Sequence, residues 1–425
     1  MRPISQDKLD REPVARRYAA LRGHSESLAA PLSAEDQTIQ SMPEVSPTKW
    51  HLAHTSWFFE TFLLVPLLSG YRVFDPAYAY LFNSYYESVG PRYPRPERGL
   101  LSRPGVADIA RYRRHVDESM ACLIATLGAA AWRGAAPLID LGIAHEEQHQ
   151  ELILMDIKHV LSQNPLQPAY RDAPRRERAS AVPLGWTEVA GGLRQIGHAG
   201  DGFAFDNEMP RHKVWLEPFR LANRPVTCGE YLAFIADEGY RRPQYWLSDG
   251  WALAQQEGWR APLYWREDAA GWTIFTLAGR RAIDLAEAVC HVSFYEADAF
   301  ARWAGKRLAS EAEWEVAAIE AGATADGNFM ESGLLHPAPA APGDGLRQMS
   351  GDTWEWTASP YVPYPGFRPA AGAVGEYNGK FMSNQMVLRG GAAVTPAAHL
   401  RVTYRNFFPP AARWAFAGIR LAEDA

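Results

Sequence analysis

Apolar residues recur at spacings of three and four positions along most of the first 164 residues. This spacing is the period of an α-helix with one buried face, and it predicts four helices. The predicted helices lie near residues 12–30, 47–68, 106–127 and 137–161. Four such segments in succession are typical of an antiparallel bundle, whose core often holds a metal ion between facing helices. We therefore predict a helical bundle over residues 1–164.

The pattern changes beyond that point. Residues 165–185 are rich in proline, arginine and alanine and have no period, as is typical of a linker. From residue 186 onward, short apolar segments alternate with glycine turns such as Gly390-Gly391, which predicts short strands with many loops. Two helices are predicted there, near residues 228–238 and 295–304. The chain is therefore predicted to be an α+β protein with a mixed second domain over residues 186–425.

Composition narrows the class of protein. The chain has 425 residues, of which 47% are hydrophobic, so large cores are possible. Its net charge is −6 without a long run of one sign, which argues against a nucleic-acid or anionic-membrane surface. The most apolar stretch, residues 57–71, is interrupted by Glu60 and Pro66 and is too short to span a bilayer.

Cysteine usage and the first residues of the chain suggest a compartment. The three cysteines, Cys122, Cys228 and Cys290, are far apart in the sequence and form no CxxC pair. This spacing predicts no disulfide framework and fits a reducing compartment. The first residues alternate in charge and lack the apolar core of a signal peptide. We expect a cytoplasmic protein.

A candidate metal site lies in the fourth predicted helix. His145, Gln148 and His149 are spaced i, i+3 and i+4, so they share one helix face. Two imidazoles one turn apart can bind the same ion, and imidazole suits zinc, copper, iron and nickel alike. The alternative is a solvated helix face that carries two histidines.

A third ligand is available in the second predicted helix. His51 and His54 are three positions apart, and either of them could complete a site with His145 and His149. Histidines beside tryptophan and phenylalanine are also often satisfied core residues. The residues by themselves leave this choice open.

Two groups of segments resemble a known enzyme family. SPTKWHLAHTSWFFE (46–60) and HEEQHQE (145–151) are similar to the DinB-type bundle of the ergothioneine-biosynthesis sulfoxide synthases, the EgtB-type non-heme iron enzymes. The second half resembles their other domain, which is similar to formylglycine-generating enzyme and has a C-type-lectin-like fold. The matching segments are GKRLASEAEWE (305–315), GDTWEWT (351–357), LRGG (388–391) and GIRL (418–421). The resemblance implies a DinB-like four-helix bundle followed by a C-type-lectin-like domain.

The resemblance also implies a ligand set and a reaction. The family's ligand is the histidine of the LAH triplet, so the iron(II) ligands would be His54, His145 and His149, with His51 structural. Three neutral imidazoles leave positions open for a substrate sulfur and dioxygen. The implied activity is an O2-dependent sulfoxide synthase that joins the sulfur of cysteine to hercynine and yields hercynylcysteine sulfoxide.

Members of the family differ in their sulfur donor. FNSYY (82–86) and RYPRPERG (92–99) resemble the subgroup that uses free cysteine. In that subgroup the tandem tyrosines, here Tyr85 and Tyr86, lie by the iron, and one would donate a hydrogen bond or a proton to the reacting oxygen. The alternative is two tyrosines that pack at the end of the bundle.

Charged residues of the same subgroup bind the donor. Arg95 occupies the position that binds the cysteine carboxylate, and Arg98 is a weaker candidate for the same role. A guanidinium suits this role because it can hold a carboxylate with two hydrogen bonds. Glu44 stands where the subgroup tends to have an aspartate for the amino group of cysteine. Its longer side chain is a departure from that pattern.

The resemblance assigns hercynine to two other groups of residues. Gln148 would hydrogen-bond the hercynine imidazole. The segment YRNFFPP (404–410) resembles the family's substrate loop, which brings Asn406, Phe407 and Phe408 near hercynine. Aromatic faces attract a quaternary ammonium group. The alternative for adjacent phenylalanines is packing in a core.

Other functions remain open at this level. The same architecture could use γ-glutamylcysteine, or a selenosugar as in the selenoneine synthases. Formylglycine-generating activity relies on a cysteine pair late in the domain, and no cysteine follows Cys290. A lectin-like binding protein with a structural metal is a further alternative, which the tyrosines and the arginine-rich loop disfavour.

Overall fold

The computed structural model describes residues 11–172, 174, 180–269 and 271–425. The chain divides into two compact units. The first unit comprises the chain up to Pro165 together with Ala371–Tyr377, and the second comprises Leu166–Ala370 and Asn378–Ala425. The linker predicted over residues 165–185 includes residues 173 and 175–179, which lie outside the described residues. None of the helices in the described ranges combines the length and apolar character needed to cross a bilayer.

The first unit is helical. Its helices are α1 (Arg11–Ala29), α2 (Thr48–Phe59), α3 (Val65–Leu67), α4 (Tyr78–Leu81), α5 (Val106–Thr126) and α6 (Ala129–Gln163). Four of them are long and match the four predicted helices. The predicted start of the fourth helix at residue 137 is wrong, because α6 begins at Ala129 and runs through Pro137. Trp132 and Ala135 are buried in this added part, and their packing stabilises a helix that lacks one backbone donor at the proline.

Helix α2 is the centre of the first unit. All twelve of its residues are buried, and it packs against α1, α5 and α6. A helix buried on every side has no solvated face to rotate towards water. It continues into a π-helical segment, Glu60–Leu64. The Glu60 carboxylate accepts hydrogen bonds from the hydroxyls of Tyr71 and Tyr112, both at 2.6 Å.

A buried ionic cluster joins three helices of this unit. Arg22 on α1 and Arg113 on α5 donate to the Glu146 carboxylate on α6, at 2.7 and 3.1 Å. Burial raises the pKa of Glu146, but the charges of the two arginines outweigh it and lower that pKa to about 2. A rotation of α6 would move the Glu146 carboxylate away from the two guanidinium groups and leave buried charges unpaired. The ionic cluster therefore fixes the rotation of α6.

The described residues of the second unit form four sheets and four α-helices. The helices are α7 (Cys228–Ala236), α8 (Ser248–Gln256), α9 (Phe294–Trp303) and α10 (Glu311–Glu320). Two of these, α7 and α9, match predicted helices, and α8 and α10 were not predicted. Ser293 caps α9 and Ser310 caps α10, each in a capping box with the glutamate three residues later. Each helix begins at the residue directly after its capping serine, as expected for this motif.

Thirteen strands occur within the described ranges, and they are short and mostly antiparallel. They are β1 (Trp186–Val189), β2 (Gly192–Ile196), β3 (His212–Leu216), β4 (Phe219–Ala222), β5 (Trp265–Asp268), β6 (Gly271–Thr276), β7 (Gly279–Ala282), β8 (Arg307–Leu308), β9 (Trp354–Pro360), β10 (Met386–Arg389), β11 (Asn406–Phe408), β12 (Ala417–Gly418) and β13 (Leu421–Asp424). The strand orders are β1-β4-β13-β8, β11-β10-β9-β12, β2-β3 and β5-β6-β7. Only the β12–β9 pair among these is parallel. In the first sheet, β4 lies between β1 and β13, which returns from the end of the chain.

The segments that carry the family resemblance in this unit hold its core together. The Arg420 guanidinium forms an ion pair with Glu355 at 2.7 Å, and the Trp314 indole donates to the same carboxylate at 2.6 Å. Arg389 pairs with Glu315 nearby. All five side chains are buried, so each charge depends on its partner. These segments therefore build the fold.

Replacing Glu355 with leucine should destabilise the second unit. The substitution leaves the Arg420 guanidinium buried without its carboxylate, which costs about 3–5 kcal/mol in comparable buried pairs. Chemical denaturation followed by tryptophan fluorescence measures the change. Asp424→Asn breaks an exposed ion pair with Arg307 and should leave the transition in place. A Glu355→Leu transition that coincides with the wild-type transition would contradict this view of the core.

Candidate metal centre

Three histidines from two helices meet in the core of the first unit. His54 lies on α2, whereas His145 and His149 lie one turn apart on α6. All three are buried, and their ring centroids are 4.6–4.9 Å apart. Each offers a nitrogen within 4.8 Å of the nitrogens offered by the other two. The structure therefore brings the three predicted ligands together.

The donor set fits a metal ion. Burial lowers the pKa of His145 to about 3, and it lowers the pKa of His54 and His149 well below the ordinary value. The imidazoles are therefore neutral near pH 7 and have lone pairs for a cation. The Nε2 atoms of His54 and His145 are 3.2 Å apart. Two neighbouring ligands with bonds of about 2.1 Å would be roughly 3 Å apart at right angles.

The two candidate ligands on α2, His51 and His54, differ in the hydrogen bonds of their ring nitrogens. The Nδ1 atom of His54 donates to the Phe82 carbonyl at 2.6 Å, which leaves Nε2 as the acceptor that faces the cluster. His51 lies outside the cluster, with its Nδ1 atom 2.8 Å from Nδ1 of His149 and its Nε2 atom 3.0 Å from the Asp156 carboxylate. His51 thus contacts a candidate ligand and is not one of the three.

The tandem tyrosines lie beside this cluster. The rings of Tyr85 and Tyr86 stack with centroids 4.6 Å apart, and their hydroxyls are 3.5 Å apart. Tyr86 is fully buried and lies 5.6 Å from Trp57, whose indole stacks on His54. Burial, followed by the neighbouring Tyr85, raises the pKa of Tyr86 well above its ordinary value. The Tyr86 phenol is therefore a protonated donor at neutral pH.

Tyr377 lies beside the histidine cluster and was not predicted from the sequence. Its hydroxyl donates to the Gln148 side-chain oxygen, and its ring lies edge-on to His145 at 5.7 Å. The ring of Tyr85 is 6.2 Å away. Tyr377 and Gln148 are 229 positions apart in the chain, so no local spacing relates them.

Glu376, the residue before Tyr377, forms hydrogen bonds with the loop that carries Tyr85 and Tyr86. The carboxylate of Glu376 accepts hydrogen bonds from the backbone N–H groups of Glu87 and Ser88, both at 3.0 Å, and from the Ser88 hydroxyl. One side chain thus satisfies three donors directly after Tyr85 and Tyr86. This clamp restricts the loop that carries the two phenols.

The predicted donor-binding residues differ in their surroundings. Arg95 is exposed and donates to the backbone carbonyl of Glu44, which is itself exposed. Arg98 is buried, donates to the Ser46 hydroxyl at 2.9 Å, and covers the Trp50 ring at 3.4 Å from its centroid. No carboxylate of the described residues forms an ion pair with Arg98. Burial and the charge of Arg95 lower the pKa of Arg98, although a guanidinium stays protonated in proteins. The charge of Asp156 offsets part of this effect, but Arg98 has no direct carboxylate partner in the described part of the chain.

The residues predicted to contact hercynine from the second half lie in the second unit. Asn406, Phe407 and Phe408 form β11, so the predicted loop is a strand at this point. The ring of Phe407 stacks on Tyr361 with centroids 4.0 Å apart. Phe408 packs edge-on against Trp414 at 5.6 Å. All three residues remain partly exposed, so packing occupies only part of their surfaces.

Comparisons with known proteins agree over most of the chain. Residues 173–340 and 339–425 match the family described as "Sulfatase-modifying factor enzyme 1-like domain". Hercynine oxygenase of Mycobacterium tuberculosis is 34% identical over 404 residues, which covers 90% of this chain and 92% of that protein. The chain belongs to the hercynine oxygenase family. Hercynine oxygenase of Mycolicibacterium thermoresistibile is 32% identical over 417 residues, or 90% of this chain and 88% of that protein.

Membership of the hercynine oxygenase family confirms several predictions. The EgtB-type resemblance and the α+β fold class are correct, and the chain is an oxygenase, so the non-catalytic alternative is not retained. Formylglycine-generating enzyme of Streptomyces coelicolor is 29% identical over 285 residues, covering 57% of this chain and 90% of that protein. Of the three cysteines here, Cys228 and Cys290 are buried and Cys122 is exposed.

Removal of any cluster histidine should weaken binding of the iron(II) that the family resemblance implies. We expect His54→Ala, His145→Ala and His149→Ala to retain little iron(II) after anaerobic reconstitution and desalting, since two imidazoles hold the ion more weakly than three. Metal content per chain is the measurement. The matched control is His115→Ala, because His115 lies on α5 and its Nε2 atom donates to the Arg72 carbonyl at 3.0 Å, outside the cluster. Full iron content in any of the three variants would remove that histidine from the ligand set.

Proposed function

We propose that this chain is a non-heme iron(II), O2-dependent sulfoxide synthase of ergothioneine biosynthesis, which joins the sulfur of cysteine to hercynine. The product is hercynylcysteine sulfoxide. A C–H bond of hercynine and the S–H bond of cysteine break, and a C–S bond forms. One oxygen atom of O2 goes to the sulfur and the other leaves as water. The observation that carries the proposal is the buried triad of neutral imidazoles beside two stacked phenols, in a chain whose relatives are named hercynine oxygenases.

His54, His145 and His149 would hold the iron. Bound iron(II) supplies electrons for dioxygen and positions at which the substrate sulfur binds. The protein contributes a dry, rigid pocket, since all three imidazoles are buried on helices. Holding reactants at fixed distances supplies a large part of the rate enhancement in reactions of this kind.

Arg98 is the residue that we assign to the carboxylate of cysteine. Its guanidinium is buried without a carboxylate partner among the described residues, whereas Arg95 is exposed and bonded to a backbone carbonyl. A buried cation without an anion is costly, and a substrate carboxylate would supply the missing charge. Arg98 also stacks on Trp50, which in turn stacks on His54 with ring centroids 4.7 Å apart. The carboxylate of cysteine would therefore bind at Arg98, and only Trp50 lies between Arg98 and the proposed ligand His54.

The phenols of Tyr85 and Tyr86 are assigned to proton donation. Tyr86 keeps its proton because burial raises its pKa, and the adjacent Tyr85 hydroxyl can pass a proton along the pair. The Tyr377 hydroxyl holds the side-chain oxygen of Gln148, which orients the amide for the imidazole of hercynine. Contacts of Asn406, Phe407 and Phe408 with the trimethylammonium group, and of Glu44 with the amino group of cysteine, remain predictions from the resemblance.

The direct test is turnover with defined substrates. Iron-loaded protein under air is given hercynine with cysteine, γ-glutamylcysteine or a selenosugar, and products are identified by mass spectrometry. We expect hercynylcysteine sulfoxide from cysteine. Product from only one of the other donors would replace cysteine by that donor, and no product from any donor would overturn the proposed function.

The same assay tests the role of Arg98. Arg98→Met preserves the length of the side chain but removes the charge, and a lost hydrogen bond to a charged group costs about 1.5–3 kcal/mol. We expect KM for cysteine to rise roughly 10- to 100-fold, while KM for hercynine stays near the wild-type value. Arg95→Met is the matched control from the same segment. A larger rise in KM for cysteine in Arg95→Met than in Arg98→Met would reverse the assignment.

Loss of the phenol protons should change the products and not only the rate. In Tyr85→Phe or Tyr86→Phe, we expect a larger share of turnover to end in oxidised cysteine without a carbon–sulfur bond. The ratio of the two products, measured by mass spectrometry, is independent of the amount of active enzyme. Tyr80→Phe, at an exposed position of α4, is the control. Wild-type product ratios in both variants would rule out proton donation by this pair.

A further inference from the structure

A chain of buried hydrogen bonds leads away from His149. Its Nδ1 atom lies 2.8 Å from Nδ1 of His51, and Nε2 of His51 lies 3.0 Å from Oδ2 of Asp156. The same oxygen accepts the backbone N–H of Ser46 at 2.8 Å. His51 and Asp156 are each 2% exposed, so water does not compete for these bonds.

The chemistry of the groups sets the direction of the chain. An ionised carboxylate only accepts hydrogen bonds, so Nε2 of His51 is the donor to Asp156. A neutral imidazole that donates through one nitrogen accepts through the other, so Nδ1 of His51 accepts from Nδ1 of His149. His149 is then left with a lone pair on Nε2, the nitrogen that can bind a metal.

We propose that His51 and Asp156 are positioning residues that hold His149 in the tautomer and ring orientation required to bind iron. This inference rests on the metal centre of the proposed function. Histidine ligands commonly donate their second nitrogen to a carboxylate or a carbonyl, and loss of the outer partner typically lowers metal affinity 10- to 100-fold. The Phe82 carbonyl does the same for His54 at 2.6 Å.

The spacing along both helices supports this assignment. His51 is one helical turn before His54 on α2, and Asp156 is two turns after His149 on α6, so both lie on the helix faces that carry ligands. The chain also reaches the proposed donor site. Ser46 donates to Asp156 through its backbone and accepts from Arg98 through its hydroxyl, at 2.9 Å. The orientation of an iron ligand and the position of Arg98 thus share a common support.

Metal affinity and tautomer state test the proposal without reference to turnover. The dissociation constant for iron(II) is measured anaerobically by competition with a chelator, alongside the thermal unfolding of the metal-free protein. We expect His51→Phe, which keeps the ring but removes both nitrogens, to weaken binding 10- to 100-fold. Asp156→Asn retains an oxygen for Ser46 and His51 but loses the charge, so we expect a smaller loss.

The control is His159→Phe. His159 is also a buried histidine of α6, where burial lowers its pKa and the charge of Asp156 opposes that effect, but its Nδ1 atom pairs with the Ser41 hydroxyl at 2.7 Å and not with His51 or His149. We expect iron affinity of this variant to equal that of the wild type. A loss in His159→Phe as large as that in His51→Phe would mean that any buried histidine of this region affects the site, and would overturn the proposal.

Nitrogen-15 NMR of selectively labelled histidine reports the tautomer in the metal-free protein. His149 signals are assigned by their loss in His149→Ala. We expect protonated Nδ1 in the wild type and a mixture of tautomers in His51→Phe. Protonated Nε2 on wild-type His149 would overturn the proposal, even if His51→Phe failed to fold. Failure of the proposed function is distinguishable, because absent turnover would leave both the iron affinities and the tautomer result unchanged.

Discussion

The fixed separation between α2 and α6 is the constraint on which the site depends. His54 comes from one helix, whereas His145 and His149 come from the other, so a small rotation of either helix would separate their nitrogens. Helix α2 is buried on every side, and α6 is fixed by the ionic cluster of Glu146 with Arg22 and Arg113. That cluster lies one residue from His145. Packing and buried charge therefore prepare the three imidazoles before any metal binds.

The surroundings of the triad follow from this framework. Trp50 is one turn before His54 on α2, and its ring lies against both His54 and Arg98. Trp57 is one turn after His54 and lies between that histidine and Tyr86. Two tryptophans of one buried helix thus contact the proposed donor-binding cation on one side of His54 and Tyr86 on the other. Trp50 and Trp57 restrict the positions of the groups that they contact, because closely packed rings have few alternative arrangements.

The sequence predicted the parts of this site that depend on local spacing. The i, i+4 pair on α6 and the four long helices of the first unit were predictable from period alone. The choice of His54 over His51 needed the family resemblance, since both share a helix and only tertiary contacts distinguish them. The importance of Arg98 relative to Arg95 depends on burial, which a loop without periodicity does not reveal. Tyr377 could not be found by spacing, because its contacts with Gln148 and His145 are long-range.

In the second unit, conspicuous sequence segments proved to be structural. Glu355, Arg389 and Arg420 stand in the segments that carry the resemblance, and each forms a buried ion pair. The two helices that were not predicted, α8 and α10, are as long as α7 and α9, which were predicted. Seven of the ten residues of α10 are buried, three glutamates among them, whereas α8 buries only Gly250 and Ala254. Neither helix therefore has the single apolar face that gives a clear period.

X-ray absorption at the iron edge of the anaerobically loaded protein tests the central claim most directly. Imidazole rings add characteristic outer-shell scattering, so their number can be counted. Our account predicts three imidazole nitrogens at about 2.1 Å in the wild type and two in His54→Ala if that variant retains any iron. A wild-type spectrum with fewer than three imidazoles, or one unchanged by His54→Ala, would contradict the convergence of α2 and α6 on a single ion.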